Sequence, residues 1–317
     1  MATSSPSYLA YRLGAAVANA VPRAIGTPVA ETGGRLAAFL APGRRRIVRR
    51  NLQRATDGGL DGLARERAVS DTFATYGRYW LELFRLPSHG DVESLITEVG
   101  WEHIQAGLAD GRGVILALPH MGGFDMAAAW LAGRGVPPVV VVEAVEPPEL
   151  FEWFADVRRA IGMDVIPLGP GAAAAVVKAL AANRIVCLLS DRDLAGDGME
   201  VEFFGERTTL PGGPATLALR SGAALIPTAV YFRPQGRNFL RIGPPLVVER
   251  QGRLRDDVAR LTQELAVRFE ELVRMAPEQW HVMQPNWPSD RGEPPLDAPR
   301  AAPDSGGSDA GVAAESG

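Results

Sequence analysis

Residues 114 to 132 read VILALPHMGGFDMAAAWLA, a short apolar run and an alanine-rich stretch with one histidine and one aspartate at their junction. Five consecutive apolar residues followed by a proline are typical of a buried strand, and the alanine-rich stretch favours a helix. Two glycines, Gly122 and Gly123, permit an irregular turn between them. The segment therefore predicts a strand-turn-helix unit with His120 and Asp125 in or beside the turn.

The same alternation continues along the chain, where apolar runs that predict strands are separated by longer stretches with helical periodicity. The predicted strands are residues 113–118, 138–144, 163–168, 184–190, 224–232 and 239–243. The predicted helices are residues 102–110, 124–133, 148–160, 172–183, 212–222 and 255–275. Because buried parallel strands read as unbroken apolar runs, this order predicts an α/β fold with a largely parallel central sheet flanked by helices.

Composition distinguishes the two ends of the chain from its middle. Residues 1–56 carry nine arginines and one acidic residue, a net charge of +8, and predict a basic amphipathic region that associates with an anionic membrane surface. An ordinary surface helix is the alternative. Residues 57–289 are the predicted globular domain. Residues 290–317 are rich in Pro, Gly, Ser and Asp and predict a disordered tail.

Several classes of protein are disfavoured. The formal net charge of -4 argues against nucleic-acid binding. Cys187 is the single cysteine and no histidine pair has ligand spacing, so we expect neither an intramolecular disulfide nor a metal site. There is no G-x-S-x-G elbow and no Walker loop, and GPGAAA at 169–174 matches a dinucleotide fingerprint poorly. We expect no cleaved signal peptide and no transmembrane helix.

Ionisable residues follow three of the predicted strands at the same end. His120 follows the first strand, Glu143 the second, and Asp191 and Arg192 follow the strand at 184–190. In open α/β sheets, ligands bind beyond the carboxyl ends of the strands. If the strands are parallel, these side chains converge on one edge of the sheet, which is the predicted functional site.

His120 and Asp125 suggest a specific chemistry. Five residues correspond to a rotation of about 140° on a regular helix, so the two side chains meet only if the turn between them is irregular. The Asp125 carboxylate would then accept a proton from one ring nitrogen and leave the other as a base for a substrate hydroxyl, since no protein serine accompanies them. Free N–H groups of Gly122 and Gly123 would stabilise an oxyanion or bind phosphate. A structural histidine that caps the helix is the alternative.

Five blocks of the sequence, in order, resemble the bacterial lipid A acyltransferase and phosphatidylinositol mannoside acyltransferase group of the glycerophospholipid acyltransferases. The blocks are RRRIVRRNLQRA (44–55), YGRYWLELFRLP (76–87), GWEHIQAGLADGRGVILALPHMGGFD (100–125), LLSDRDLAGDGMEVEFFGERTTLPGGPATLALRSGAALIPTAV (188–230) and EQWHVMQPNWP (278–288). The third block ends in the His-x4-Asp signature. The resemblance implies the fold of that group, with residues 57–289 as an acyltransferase domain.

The resemblance also implies an activity. It implies transfer of a long acyl chain from acyl-CoA to a glycolipid hydroxyl at the cytoplasmic face of the membrane, with peripheral attachment and no further cofactor. By position, His120 is the implied base and Asp125 the acid of the signature. Glu143 and Asp191 are implied supporting carboxylates, and either is an alternative partner of His120.

The implied binding residues and the acceptor follow from the same blocks. Arg158 and Arg192 are implied to bind anionic groups of the donor or acceptor. Gly-Gly-Phe-Asp at 122–125 departs from the Gly-Asn-Trp-Glu common in lipid A enzymes. Together with the Gln-Pro-x-Trp-Pro ending and a composition typical of a GC-rich genome, it favours the actinobacterial branch and a phosphatidylinositol mannoside acceptor. Another glycolipid acceptor, a thioesterase and a non-catalytic lipid-binding protein are the alternatives.

Overall fold

The computed structural model describes residues 5–88, 90–143, 145–293 and 296. The helices in this part of the chain are α1 (Pro6–Ala20), α2 (Arg23–Leu40), α3 (Pro42–Ala55), α4 (Gly62–Arg85), α5 (Trp101–Ala109), α6 (Phe124–Gly133), α7 (Pro148–Arg159), α8 (Ala172–Ala181), α9 (Gly213–Ser221), α10 (Leu254–Arg274) and α11 (Pro288–Arg291). The strands are β1 (Ile96–Val99), β2 (Val114–Leu118), β3 (Val139–Val142), β4 (Asp164–Pro167), β5 (Ile185–Leu189), β6 (Met199–Phe203), β7 (Glu206–Leu210), β8 (Ala224–Phe232) and β9 (Asn238–Ile242).

The described strands form a seven-stranded sheet in the order β1-β9-β8-β2-β5-β3-β4 and a separate β6-β7 hairpin. Neighbouring strands of the large sheet are parallel except for the β8-β9 pair, which a short turn joins. This arrangement confirms the predicted α/β class and the largely parallel sheet. β1, β6 and β7 were not among the predicted strands.

Both faces of the sheet are covered, which explains the unbroken apolar runs. On β2, Ile115 and Ala117 pack into a core shared with α8, α9 and α10. Leu116 and Leu118 point the other way, into a second core shared with α4, α5, α6 and α7. Since alternate residues of a strand face opposite sides of the sheet, a strand with apolar residues at every position must be buried on both faces.

The N-terminal helices pack on the body of the protein. α2 lies against α4 at two glycines: a Cβ added at Gly34 would be 2.1 Å from the Phe73 carbonyl oxygen, and one added at Gly77 would be 2.3 Å from that of Ala30. α3 buries Leu52 in a small core that includes residues of α4. None of the described helices combines the length and hydropathy needed to cross a bilayer.

Ion pairs neutralise most of the arginines of α3. Arg45 and Arg49 pair with Glu66, and the hydrogen bonds that Arg49 and then Arg45 donate lower the pKa of the Glu66 carboxyl to about 2. Arg50 and Arg54 pair with Asp290. Only part of the positive charge of the basic RRRIVRR stretch is therefore available to contact a membrane surface.

The predicted tail begins with ordered residues. Asp290 and Arg291 belong to α11, because the buried Asp290 carboxylate accepts hydrogen bonds from the Asn286 and Trp287 backbone and from Arg54. Apart from residues 292, 293 and 296, the rest of the predicted disordered tail lies outside the described residues.

The close approach of α2 to α4 generates a stability prediction with a neighbouring control. Gly34→Ala should lower the free energy of unfolding by about 2 kcal/mol, because the new methyl group overlaps backbone that cannot move alone. Gly33→Ala should leave stability unchanged or raise it by up to about 1 kcal/mol, since nothing lies within 4 Å of its added Cβ and alanine favours a helix. Urea denaturation followed by circular dichroism measures both, and equal midpoints would contradict the packing described.

Candidate active site

The parallel register of β2 and β5 brings His120 and Asp191 together. Leu118 is paired with Leu189, and the two polar residues each lie two positions beyond this pair. His120 Nδ1 is 2.5 Å from Asp191 Oδ1, and the His120 backbone N–H donates to Asp191 Oδ2 at 2.8 Å. His120 and Asp191 are therefore joined through two contacts at the carboxyl edge of the sheet.

The Asp191 carboxylate is completely buried and accepts one further hydrogen bond, from Trp280 Nε1 at 2.7 Å. Burial alone would raise the pKa of Asp191, but the charge of His120 and the hydrogen bonds from His120 and Trp280 outweigh it and lower that pKa. Because an ionised carboxylate only accepts, we assign the proton to Nδ1 of His120. In the neutral form of the ring, Nε2 is then unprotonated, as is required of a base.

The predicted pairing of His120 with Asp125 is wrong. Asp125 lies in the first turn of α6 and accepts a bidentate pair from Arg158, with Nε at 2.7 Å and Nη2 at 3.0 Å. Tyr79 donates a further hydrogen bond to it at 3.0 Å. In this buried setting a guanidinium compensates the carboxylate far better than a neutral imidazole would, so Asp125 is turned toward α7 and α4.

The same contacts change the expectation for Arg158. It is 9% exposed, and its paired nitrogens contact Asp125, so it is not a free anion-binding group. Burial disfavours the charge on Arg158, but Asp125 outweighs burial and raises the pKa of the guanidinium. Burial and then the nearby Asp125 charge raise the pKa of Tyr79 well above its usual value. The three side chains form a closed polar cluster.

Glu143 and Arg192 lie near the same edge and contact each other. Glu143 follows β3, is exposed, and places Oε2 3.4 Å from Arg192 Nη2. The Arg192 side chain is 14% exposed, and its Nε is buried with no hydrogen-bond partner among the described residues. Arg192 therefore has one N–H donor that is unpaired within the described part of the chain. Glu143 is not the partner of the His120 ring.

Both glycines of the turn allow close packing, and Gly122 is not part of the predicted anion site. The Gly122 N–H donates to the Gln279 carbonyl at 3.1 Å, so it is not free to bind an oxyanion. Gly122 has φ +53°, and a Cβ there would lie 2.2 Å from the Val230 carbonyl oxygen. At Gly123 a Cβ would lie 2.8 Å from Asn238 Oδ1. Only glycine lets the turn approach β8 and β9 this closely.

An apolar cavity of about 270 Å³ extends from His120 along one face of the sheet. Its floor consists of side chains from five neighbouring strands, and α4, α6 and α7 cover it. Floor residues from those strands include Val140, Leu116, Cys187, Thr228 and Leu240. Burial, and secondarily Asp125, raise the pKa of the Cys187 thiol to about 12, so this cysteine is a packing residue.

A second cavity, of about 160 Å³, also adjoins His120. Its lining is aromatic and polar and includes Tyr76, Trp80, Arg192, His281 and Gln284. Burial, and then the charge of His120, lower the pKa of His281 to about 3, so that ring stays neutral. His281 Nδ1 has no hydrogen-bond partner among the described residues. His120 and Phe124 line both cavities, which places the imidazole at their junction.

Residues 1–289 match the family described as bacterial lipid A biosynthesis acyltransferase. The chain belongs to this family. Members of the lipid A biosynthesis acyltransferase family are transferases, which confirms the predicted enzyme class and the resemblance seen in the sequence. The chain is 38% identical over 291 residues to the phosphatidylinositol mannoside acyltransferase of Mycobacterium tuberculosis (strain CDC 1551 / Oshkosh), covering 90% of this chain and 89% of that protein.

A second relative agrees. The phosphatidylinositol mannoside acyltransferase of Mycolicibacterium smegmatis (strain ATCC 700084 / mc(2)155) is 36% identical over 287 residues, covering 89% of this acyltransferase and 91% of that protein.

Tyr79, Trp280 and His281 are among the residues of the site that were not predicted. All three belong to blocks that carried the family resemblance, but no spacing rule connects them to His120. The position of Asp191 had a signal, since it follows a strand as His120 does.

The buried pair of Asp125 and Arg158 generates the prediction for this site. Arg158→Met should lower the free energy of unfolding by about 3–5 kcal/mol, because it leaves the Asp125 carboxylate buried without its cation. Arg159→Met is the matched control: Arg159 is the next residue, is exposed, and makes only surface ion pairs, so the change should stay within about 0.5 kcal/mol. Urea denaturation at neutral pH gives both values, and a neutral Arg158→Met variant would refute the pairing.

Proposed function

We propose that this acyltransferase moves a long acyl chain from acyl-CoA to a mannose hydroxyl of a phosphatidylinositol mannoside. The observation that carries the proposal is the place of His120, whose ring lies between an apolar cavity and a polar, aromatic one and is held by a buried carboxylate. The names of the relatives at 36–38% identity support the acceptor.

In the proposed reaction His120 Nε2 takes the proton of the mannose hydroxyl while Asp191 holds Nδ1–H and stabilises the imidazolium that forms. The mannose oxygen attacks the thioester carbonyl and the tetrahedral intermediate collapses. The C–S bond breaks, and the imidazolium returns its proton to the leaving thiolate. The products are an ester and free CoA, and His120 ends neutral.

The apolar cavity is the proposed site of the acyl chain. Its floor crosses β9, β8, β2, β5 and β3, and four intervals of about 4.8 Å between strands give a reach of about 19 Å, suited to a long chain. Asp125 and Arg158 line this cavity as a neutralised pair, so they add no net charge to it.

The polar cavity is the proposed site of the sugar. Tyr76 and Trp80 offer ring faces, while Arg192, the neutral His281 and Gln284 offer hydrogen-bonding groups. Arg192 is the proposed contact for an anionic group of the donor or acceptor, since its side chain lines this cavity. Glu143 is proposed to hold Arg192 in place.

We further propose that α1 and α2 rest on the anionic surface of the membrane. Leu9, Leu13 and Val17 are exposed at four-residue spacing on one face of α1, and α2 exposes further large apolar side chains. On its inner side, α1 packs Tyr11 against the rings of Trp80 and Phe154, which line the apolar cavity. The exposed stripe thus lies on the outer face of a helix whose inner face packs on residues that line the acyl site.

Charge supports the same surface. Arg44 and Arg46 of α3 are exposed and make no ion pair among the described residues, in contrast to their four neighbours on that helix. We assign the protein to the cytoplasmic leaflet, because coenzyme A thioesters are cytoplasmic molecules.

The proposed base is tested by substitution. His120→Ala and Asp191→Asn should each lower kcat at least about 100-fold, with the fold retained, because each removes a proton acceptor or its orienting group. His103→Ala is the control and should keep the wild-type rate, because His103 lies on α5 and lines neither cavity. Mass spectrometry of the acylated phosphatidylinositol mannoside measures the product, and near-normal transfer by His120→Ala would end the proposed mechanism.

The same assay separates transfer from hydrolysis. Thiol release from acyl-CoA should be slow in water and accelerate when phosphatidylinositol mannoside is added. Equal release with and without the glycolipid indicates a thioesterase, stimulation by a different glycolipid indicates another acceptor, and stoichiometric binding without product indicates a lipid-binding protein.

The membrane surface is tested with vesicles. The triple variant Leu9→Ser, Leu13→Ser, Val17→Ser should bind phosphatidylglycerol-containing vesicles at least about tenfold more weakly in a sedimentation assay, because three apolar side chains no longer enter the interface. A matched triple variant replaces Val177, Val247 and Val267, exposed valines elsewhere on the surface, with serine. Unchanged binding of the α1 variant would place the membrane contact elsewhere.

A further inference from the structure

The segment Gln279–His281 is attached to the turn that carries His120. The Gly122 N–H donates to the Gln279 carbonyl, the His281 N–H donates to the His120 carbonyl at 2.8 Å, and Met121 and Trp280 form an antiparallel bridge between these contacts. The backbone near the C-terminal end of the described chain thus runs beside the backbone of the proposed base.

This segment is itself fixed to the sheet. The Gln279 side-chain amide accepts from the Phe232 N–H at 2.6 Å and donates to the Phe232 carbonyl at 3.3 Å, so it completes the hydrogen bonding at the end of β8. The Trp280 ring is 3% exposed and packs among Phe203, Phe204 and Trp287. Trp280 therefore has little freedom to move its indole N–H.

That rigid indole points at one atom of the dyad. Trp280 Nε1 donates to Asp191 Oδ2 at 2.7 Å, and the His120 backbone N–H donates to the same oxygen at 2.8 Å. Asp191 Oδ1 is left to the His120 ring. The two oxygens thus have different partners. Oδ2 accepts from groups that do not titrate, and Oδ1 contacts the imidazole.

We propose that Trp280 is a positioning residue for the transfer reaction, which fixes the Asp191 carboxylate and limits how strongly it holds the proton on His120. This inference rests on the proposed function, because it concerns the base of that reaction. A donor on Oδ2 withdraws charge from Oδ1, and a carboxylate with less charge on Oδ1 attracts the imidazolium less. Without the indole N–H, the ring should retain its proton to higher pH, and the carboxylate should be less well oriented.

Other titratable or charged groups also face the dyad from the elements packed around it. They are Tyr76 and Tyr79 from α4, Asp125 from α6, Glu143 after β3, Arg158 from α7, Arg192 after β5, and His281. A change confined to the indole N–H leaves all of them in place, so a shift in the pH profile would report the bond to Asp191.

The experiment removes that N–H in two ways. Trp280→Phe deletes it together with part of the ring, and replacement of Trp280 by benzothienylalanine, an isosteric analogue with sulfur in place of the N–H, deletes it without changing the shape. The same two replacements at Trp287 are the control. Trp287 is equally buried in the same aromatic cluster, but its Nε1 donates to the Phe203 carbonyl at 3.2 Å and not to the dyad.

Transfer from palmitoyl-CoA to phosphatidylinositol mannoside is followed across pH, with His120→Ala alongside. Both position-280 variants should lose about 10- to 100-fold in kcat, keep KM within about twofold, and shift the acid limb of the kcat/KM profile about one unit to higher pH. The position-287 variants should keep the wild-type profile.

Three results separate the possible failures. If the wild-type protein yields no acylated phosphatidylinositol mannoside, the proposed function fails, and if His120→Ala transfers at the wild-type rate, the proposed base fails. If His120→Ala is inactive but the benzothienylalanine variant at position 280 keeps the wild-type rate and profile, or matches its position-287 counterpart, only the role of Trp280 is overturned.

Discussion

The contact between His120 and the buried Asp191 carboxylate is the interaction on which the proposed chemistry depends. A fully buried aspartate is costly unless its oxygens are satisfied, and here two backbone or ring donors and the imidazole satisfy them. The arrangement requires that two parallel strands, β2 and β5, end in register and that the backbone turns within two residues of the end of each strand. The close glycine turn, the covering C-terminal segment and the aromatic cluster under Trp280 all serve this geometry.

Two buried carboxylates on the same edge of the sheet have different partners and therefore different uses. Asp191 meets a titratable ring and leaves Nε2 free, whereas Asp125 meets a guanidinium that is always charged. The signature aspartate is thus part of a structural ion pair between α6 and α7 beside the apolar cavity. The proposed base, His120, instead contacts a carboxylate that lies 71 residues further along the chain, just after β5. His120 and Asp125 are therefore close in the sequence motif but do not pair with each other in the structure.

Much of the fold was predictable because strands that are buried on both faces have unbroken apolar sequences. β2, β3, β4, β5, β8 and β9 were anticipated to within about two residues. β1 was missed because its sequence, ITEV, is largely exposed at an edge. β7, ERTTL, was missed because it has only one apolar residue, and β6, MEVEF, because it alternates polar and apolar residues and has no unbroken apolar run. The convergence of His120, Glu143, Asp191 and Arg192 followed from strand ends. The choice between Asp125 and Asp191 did not, because it depends on the order of strands and on where Arg158 of α7 arrives. The close pairing of Gln279–His281 with the turn is likewise a long-range contact that no local pattern encodes.

The most direct test of this account is the protonation state of His120 itself. Nitrogen-15 NMR of histidine-labelled protein near neutral pH should show that His120 is protonated at Nδ1 and unprotonated at Nε2. Its Nδ1 proton should resonate far downfield and lose that shift in Asp191→Asn, while the signals of His281 remain those of a neutral ring. A His120 ring protonated at Nε2, or one whose Nδ1 signal is indifferent to Asp191→Asn but changes in Asp125→Asn, would contradict the assignment of base and carboxylate made from the structure.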